Sequence, residues 1–331
     1  MRAVAIDGYG GSDRLQVREV PEPVEPGPGQ VRLRVRAAGI NPVDWKLRRG
    51  SLRLVMPAKF PLILGHDVAG EVEAIGPEVT RFQPGDAVYG GLDLRPLGGG
   101  YAELALARES SLAAMPRTLS FEEAAALPVA GLTALQALRD KAELAAGETA
   151  LINGAAGGVG HLAVQIAFAM GARVTGVASR RNLDFVRSLK AREAIDYEEE
   201  DFAGRDGAWD VIFDAVGNRS YQDCEPALAR DGGIYVTTSV GPRPFLNGVL
   251  TSLGGLLGQK KRARFIIAKH NAPDLEILAH LVDQGRLRPE VQEVFPLERV
   301  AAAHDLSEAG HVRGKLVLRV SSGGFEGIPR E

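Results

Sequence analysis

The sequence predicts an α/β protein in which a doubly wound parallel sheet is joined to a β-rich, antiparallel part. Three observations lead there. The opening stretch of about 120 residues holds short apolar runs between glycine- and proline-rich breaks, the texture of a rolled or barrel-like sheet. From Glu148 onward apolar runs alternate with amphipathic stretches, the pattern of a parallel sheet covered on both faces. Where that alternation begins, glycines at 154, 157, 158 and 160 join an apolar run to an alanine-rich helix. A chain of 331 residues is long enough for two domains at roughly 150 residues each.

The elements follow in order. Residues 31–37 alternate apolar and basic side chains at period two, as a half-buried strand does. Breaks fall at 26–29, at Asn41-Pro42, at Gly76-Pro77 and at 84–86, and Gly98-Gly99-Gly100 precedes a strand predicted over 101–105. Ser120 with Glu123 fits a capping box, Pro128 interrupts the helix it opens, and a second helix is expected over 129–140. Strands are then predicted at 149–153, 173–178, 194–197, 210–215, 233–238 and 263–268. A helix over 273–284, a strand over 291–295, a helix from Glu298 and a closing strand over 315–320 complete the chain, with a loose tail from Ser321.

Composition narrows the function classes. With 45% hydrophobic and 24% charged residues the chain is globular, neither disordered nor fibrous. A net charge of −3 offers no global field for nucleic acid or an anionic membrane, so neither is expected as a partner. The single cysteine, Cys224, excludes an internal disulfide framework and fits a reducing, cytoplasmic setting. No signal peptide is expected, because the first apolar run meets Asp7. Residues 151–170 lack Asp, Glu, Lys and Arg, yet Asn153, the glycines, His161 and Gln165 make them a strand, a turn and a helix, and not a membrane span.

The glycine turn carries the chemistry. Gly154, Ala155, Ala156, Gly157, Gly158, Val159 and Gly160 let the backbone turn sharply and approach a pyrophosphate. The helix amino terminus then offers free N–H groups and a positive dipole end. An NAD site usually places an acid at the tip of the second strand to bind the ribose 2′-hydroxyl. Here Ser179, Arg180, Arg181 and Asn182 stand there instead, groups suited to a 2′-phosphate, so the expected cofactor is NADPH. Asp184 lies inside the following helix, not at the tip.

At this point the chain resembles the medium-chain dehydrogenase/reductase superfamily, and within it the zinc-independent quinone oxidoreductase (ζ-crystallin-like) branch. The matching segments are 38–44, 64–72, 82–88, 131–134, the glycine turn and 314–318, in the family's order and over nearly the whole chain. The resemblance implies a Rossmann domain at 125–272 inserted in a GroES-like catalytic domain made from 1–124 and 273–331. It implies a homodimer through the cofactor domain. It places Asn41 beside the nicotinamide and its ribose, Thr133 at a further cofactor contact, and residues 156–159 at the pyrophosphate. Ser179, Arg181 and Tyr197 match the 2′-phosphate pocket, and Thr238 with Ser239 the edge of the nicotinamide site. Val216 and Lys315 complete the candidate cofactor contacts.

Zinc relatives in the superfamily use two cysteines and a histidine for the catalytic ion and four cysteines for a structural one. Only His66 stands at such a position here, and one histidine cannot make a tetrahedral N/S site, so no metal is expected. Without a metal to polarise a carbonyl, conjugated acceptors are the easiest, because they spread the incoming charge. The expected activity is NADPH-dependent hydride transfer to an apolar small molecule, a quinone or an α,β-unsaturated carbonyl. Asn41, Asp44, Lys46 and Tyr101 are the polar catalytic candidates of the first half. Residues 245–257 fall where relatives have a mobile loop, and form an apolar pocket lining or a buried helix. The alternatives are a zinc-free alcohol dehydrogenase, an enoyl-thioester reductase, or a non-enzymatic NADPH- or RNA-binding protein. The basic run 260–264 lacks aromatics for base stacking, which speaks against RNA.

Overall fold

Alternation decides the first half of the molecule. In the strand Gln30–Gly39, Val31, Leu33 and Val35 are buried while Arg32, Arg34 and Arg36 turn out to meet Glu71 and Glu73. The computed structural model describes residues 1–92, 98–239, 241–256, 258 and 260–321. Among them, Gln30–Gly39 is central to a mostly antiparallel sheet ordered Val291–Pro296, Lys315–Arg319, Gln30–Gly39, Asp67–Ile75, Ala87–Gly91, Leu112–Ala114, with Leu104–Arg108 also pairing Gln30–Gly39. The last two strands of the chain thus return to the sheet begun at its start.

The second half is the doubly wound sheet. Its six strands lie in the order Glu193–Asp196, Arg173–Ala178, Thr149–Asn153, Val211–Asp214, Ile234–Thr237, Arg262–Phe265, and every pairing is parallel. Thr149–Asn153 leads to neighbours on both sides, so the strand order reverses there. A crevice outside the carboxyl ends at that point is where such sheets bind ligands. The helices Pro128–Gln136 and Gly160–Ala169 supply small residues to a core that runs from Ala37 and Ala69 of the antiparallel sheet to Ile152 and Phe213 of the parallel one.

Differences from the expected elements are local. The capping box forms, with Ser120 N donating to Glu123 at 3.0 Å and Glu123 N to Ser120 Oγ at 3.2 Å. Pro128 is the first residue of its own helix, Pro128–Gln136, and a wide turn over Ala137–Lys141 follows. The strand expected at 101–105 starts later, as Leu104–Arg108, because the Tyr101 ring is packed inward against Gly65, where a Cβ would stand 2.5 Å from it. Pro242–Leu256 is a helix that exposes Phe245, Leu246, Val249, Leu250 and Leu253, so the buried helix expected for 245–257 is not formed, whereas Phe245, Val249 and Leu253 do line an open pocket with Phe265 and Ile267; Leu257 lies outside the described residues. No helix among the described residues is long and apolar enough to cross a membrane.

Candidate cofactor and active site

The pyrophosphate turn is built on positions that tolerate only hydrogen. Gly154 adopts φ +77°, and a Cβ there would strike Val216 at 2.4 Å. A Cβ on Gly160 would lie 2.0 Å from the Gly154 carbonyl oxygen. At Gly157 a built Cβ would make an ordinary contact, 3.4 Å from the Gly154 oxygen, and at Gly158 it would press on Lys315 Cδ at 3.2 Å. The turn is tied to the second strand by Gly154 N and Ala155 N, which both donate to Val177 O, at 3.1 Å and 2.9 Å. The helix Gly160–Ala169 follows with no acid in its first turn. A bare glycine cradle against a helix amino terminus fits a diphosphate.

His161 anchors this helix to the returning chain. Its Nδ1 donates to Gly157 O at 2.9 Å, and its Nε2 accepts from Glu290 N at 3.0 Å. Those partners require the neutral ring, and burial lowers its pKa to about 4. Because the native pKa lies below the ordinary 6.5, the unfolded chain takes up the proton first. Stability from this residue is complete above pH 6.5 and is lost as the pH falls towards 4. His304, fully buried and also lowered to about 4 by burial, adds to the same window. We expect the unfolding free energy from denaturant titrations to drop between pH 7 and pH 4.5, towards a full effect below pH 4 on the order of 3 kcal/mol per histidine, and His161→Gln to flatten the slope. A pH-independent midpoint over that range would contradict it.

At the tip of the second strand the residues are split in their roles. Ser179 Oγ accepts from Asn182 Nδ2 at 3.2 Å, which fixes the short turn Arg180–Asn182. Arg180 turns to Asp196, at 3.4 Å, and to Glu199. Arg181 is exposed and pairs with no carboxylate among the described residues. Tyr197 is half exposed just past the neighbouring strand Glu193–Asp196, and its N–H donates to Ala178 O at 3.3 Å. Of the two arginines, Arg181 is therefore the one with its charge uncommitted.

The other rim of the crevice is organised by a residue the sequence reading missed. Asp214, fully buried, accepts from Asn153 Nδ2, Val216 N, Gly217 N, Arg219 N and Tyr235 OH at 2.8–3.2 Å. It holds Val216 against the pyrophosphate turn. Thr238 Oγ1 donates to Ala215 O at 3.2 Å, and Ser239 packs on Gly217, whose φ of +77° and 3.0 Å clearance admit only glycine. The available signal was a carboxylate closing an otherwise apolar strand, Val211–Asp214.

Across the crevice, Asn41 (3% exposed), Asp67 and Lys315 form one buried polar group. Asn41 Nδ2 donates to Asp67 Oδ2 at 2.8 Å, and Lys315 Nζ donates to Asn41 Oδ1 at 2.5 Å. Asp67 Oδ1 accepts from Val129 N at 2.8 Å, fastening the helix that carries Thr133. The Thr133 hydroxyl donates to Val129 O at 2.6 Å, which leaves only its lone pairs for a ligand. The chain also joins here through Gly314 N, which donates to Ala156 O of the pyrophosphate turn at 2.8 Å.

Three catalytic candidates need correction. Asp44 and Tyr101 are wholly buried behind Asn41. Asp44 accepts from Asn41 N at 2.8 Å and from Tyr101 OH at 3.1 Å, and bonds His66 Nδ1 at 2.7 Å. Burial opposes the Asp44 carboxylate, but the His66 bond and nearby histidines outweigh it and hold the carboxyl below its usual range. Burial drives the Tyr101 phenol well above its usual value, so it stays protonated, and its hydrogen is directed to the buried Asp44. Lys46 is exposed on the helix Pro42–Arg48, 5.5 Å from the Trp45 ring centre, with no link to this group. Among the described residues no three His, Cys, Asp or Glu side chains gather as a metal-ligand set.

Comparison with known proteins agrees with this architecture. Residues 27–117 match the alcohol dehydrogenase GroES-like domain, and residues 189–318 match the family described as zinc-binding dehydrogenase. The chain is 36% identical over 329 residues to the chloroplast envelope quinone oxidoreductase homolog of Arabidopsis thaliana, covering 96% of this chain and 98% of the relative. It is 36% identical to the quinone oxidoreductase of Pseudomonas aeruginosa, covering 96% and 99%. Among solved structures, the quinone oxidoreductase from Coxiella burnetii superposes with a TM-score of 0.84 at 35% identity over 97% of this chain and 99% of that one. The Escherichia coli quinone oxidoreductase complexed with NADPH does so at 0.79 and 26%, over 96% and 100%. The chain belongs to the medium-chain dehydrogenase/reductase superfamily, in its quinone oxidoreductase branch. Its fold is the GroES-like sheet joined to a Rossmann-type parallel sheet, and it is a nicotinamide-dependent oxidoreductase.

Proposed function

We propose that this protein is an NADPH-dependent, zinc-independent reductase that delivers hydride to a quinone or an α,β-unsaturated carbonyl. The observation that carries the cofactor choice is Arg181, an uncommitted guanidinium at a strand tip that has no carboxylate on Ser179-Arg180-Arg181-Asn182. Curated relatives named quinone oxidoreductase and NADPH-dependent alkenal/one oxidoreductase support the substrate class. In this reading residues 154–160 hold the pyrophosphate and Ser179, Arg181 and Tyr197 the 2′-phosphate. Thr133, Val216, Thr238 and Ser239 line the nicotinamide end. The bound cofactor supplies the hydride. Asn41, which retains one N–H and one lone pair beyond its bonds to Asp67 and Lys315, orients the ribose or the acceptor. The catalytic unit comprises 1–124 and 273–331, and the cofactor unit 125–272.

Zinc independence rests on the donor set. His66 bonds Asp44, Asn41 bonds Asp67 and Lys315, and Cys224 is buried in the other half with its thiol pushed up to about 12 by burial. That inert thiol also suits a cytoplasmic protein. The exposed apolar face of Pro242–Leu256 beside the sheet's edge strand Arg262–Phe265 supports a homodimer built on the cofactor unit.

The test is NADPH oxidation over quinones, enones, enals, aldehydes and enoyl thioesters, with and without chelator. Turnover of the conjugated acceptors, unchanged by chelation, is the expected result; activity lost with a stoichiometric zinc would overturn the metal-free reading. For the cofactor, we expect NADPH to bind more tightly than NADH. Arg181→Ala should remove on the order of 1.5–3 kcal/mol of that preference, the cost of a charge-assisted phosphate contact, and leave NADH nearly unaffected. Equal affinities for the two cofactors in the native protein would sink the assignment.

A further inference from the structure

We propose that Lys315 is a positioning residue, acting on the reacting end of the site through Asn41 and not on the cofactor's phosphates. The inference deepens the reductase reading above, and its kinetic arm rests on that reading. An ammonium has three hydrogens. Those of Lys315 face three acceptors: Asn41 Oδ1 at 2.5 Å, Ile40 O at 3.0 Å and Asp67 Oδ2 at 3.4 Å. The residue is only 4% exposed, so no donor is left for a phosphate.

The aliphatic stem supplies the link to the cofactor turn. A Cβ built on Gly158 would lie 3.2 Å from Lys315 Cδ, and the neighbouring Gly314 N is bonded to Ala156 O. The position of the pyrophosphate turn therefore sets the course of the lysine, and the lysine sets the amide. With Oδ1 towards the ammonium and Nδ2 towards Asp67, each end of Asn41 meets its opposite charge. A flipped amide would set N–H against the ammonium and oxygen against the carboxylate, repulsive on both sides. Asp67 cannot swing away, because its other oxygen holds Val129 N at 2.8 Å. The free N–H and lone pair of Asn41 are thus aimed in one sense only.

Lys315→Met keeps the stem and removes the three donors. Fluorescence titration should give a dissociation constant for NADPH within about threefold of the native protein, while kcat on an enone falls on the order of tenfold or more. The double variant Lys315→Met/Asn41→Ala should have the kcat of Asn41→Ala alone. NADPH binding weakened about tenfold or more would make Lys315 a phosphate ligand, and additive kcat losses would make it independent of Asn41; either result overturns the proposal. Lys315→Met leaves the Asp67 carboxylate short of a cation and so tests folding as well. Lys315→Met/Asp67→Asn removes both charges and should show the same split between binding and kcat. A readout without cofactor separates this from the reductase reading. The Asn41 side-chain amide of the cofactor-free, 15N-labelled protein should show a slow-exchanging, shifted proton bonded to Asp67, and both amide protons should shift in Lys315→Met as the ammonium on Oδ1 is lost. Unchanged amide signals would overturn the positioning role, whereas a native protein that neither binds NADPH nor turns over would overturn the reductase reading alone.

Discussion

A single methyl group at position 160 should abolish tight binding of the dinucleotide. The clash is with backbone: a Cβ on Gly160 stands 2.0 Å from the Gly154 oxygen, 2.7 Å from its carbonyl carbon and 2.9 Å from Ala155 Cα. No rotamer change relieves it, so the turn itself must open. Helix propensity runs the other way, since alanine in place of glycine within a helix is worth about 1 kcal/mol. That gain acts on the stability of Gly160–Ala169, while the opened turn displaces N–H groups from where a phosphate is held. We expect Gly160→Ala to weaken NADPH binding by on the order of a hundredfold, about 2.7 kcal/mol, with the far-ultraviolet circular dichroism of the native fold retained. Gly157→Ala, with its nearest atom 3.4 Å away, should lose far less. Fluorescence titration of the two variants side by side decides it, and equal affinities in both would show that the close approach of Gly160 to Gly154 plays no part in binding.

The contrast between these two glycines explains what could be read from the residues alone. A strand that runs into Gly154 and resumes as a helix at Gly160 states its backbone geometry directly, because φ +77° at Gly154 favours glycine and the 2.0 Å approach at Gly160 leaves no room for a Cβ. The parallel strands were legible for a similar reason: runs such as Val211–Asp214 and Ile234–Thr237 are apolar on both faces. The polar groups were harder. Asp44 and Tyr101 read as free chemistry in the first half, whereas packing buries both and joins them to His66 and to each other. Nothing local to Tyr101 announces that its ring fills the space beside Gly65.

Lys315 and Asp67 show the same limit from the other side. They lie 248 positions apart, and each opens its strand ahead of an apolar run, Lys315 in Lys315–Arg319 and Asp67 in Asp67–Ile75. A buried cation demands a buried anion. The need for a partner was legible in the sequence; which partner depended on the antiparallel pairing that sets Val317 opposite Gly39 and Gly39 opposite Asp67. Asp214 was hidden for a different reason, because its five acceptor bonds go largely to the backbone of the loop just after it, and a strand-end carboxylate does not disclose how tightly the next turn wraps.

Asn41→Ala should lower kcat for an enone or quinone by roughly ten- to a hundredfold, the range for losing one well-placed hydrogen bond in the transition state. An Asn-Pro sequence also suits a turn in which asparagine caps its own backbone, and the structure separates the two roles. Pro42 starts the helix Pro42–Arg48, and it is Asp44 that reaches back to Asn41 N at 2.8 Å. The Asn41 side chain makes its hydrogen bonds to Asp67 and Lys315, and none to the Asp44 N–H that it faces in the capping box. Its backbone is extended, with φ −127° and ψ 153°, and the preceding strand Gln30–Gly39 fixes its position. Alanine removes the oriented N–H and lone pair, and it leaves the ammonium and the carboxylate facing each other across the vacated space. NADPH affinity should fall less than kcat, since residues 154–160 and Arg181 contact the cofactor at its phosphates in the proposed site. The melting temperature should fall by a few degrees, as two buried hydrogen bonds are lost. Steady-state kinetics, cofactor titration and a thermal melt on one preparation read all three. A native kcat together with a native melting temperature would show that Asn41 neither orients the reaction nor holds the buried group together.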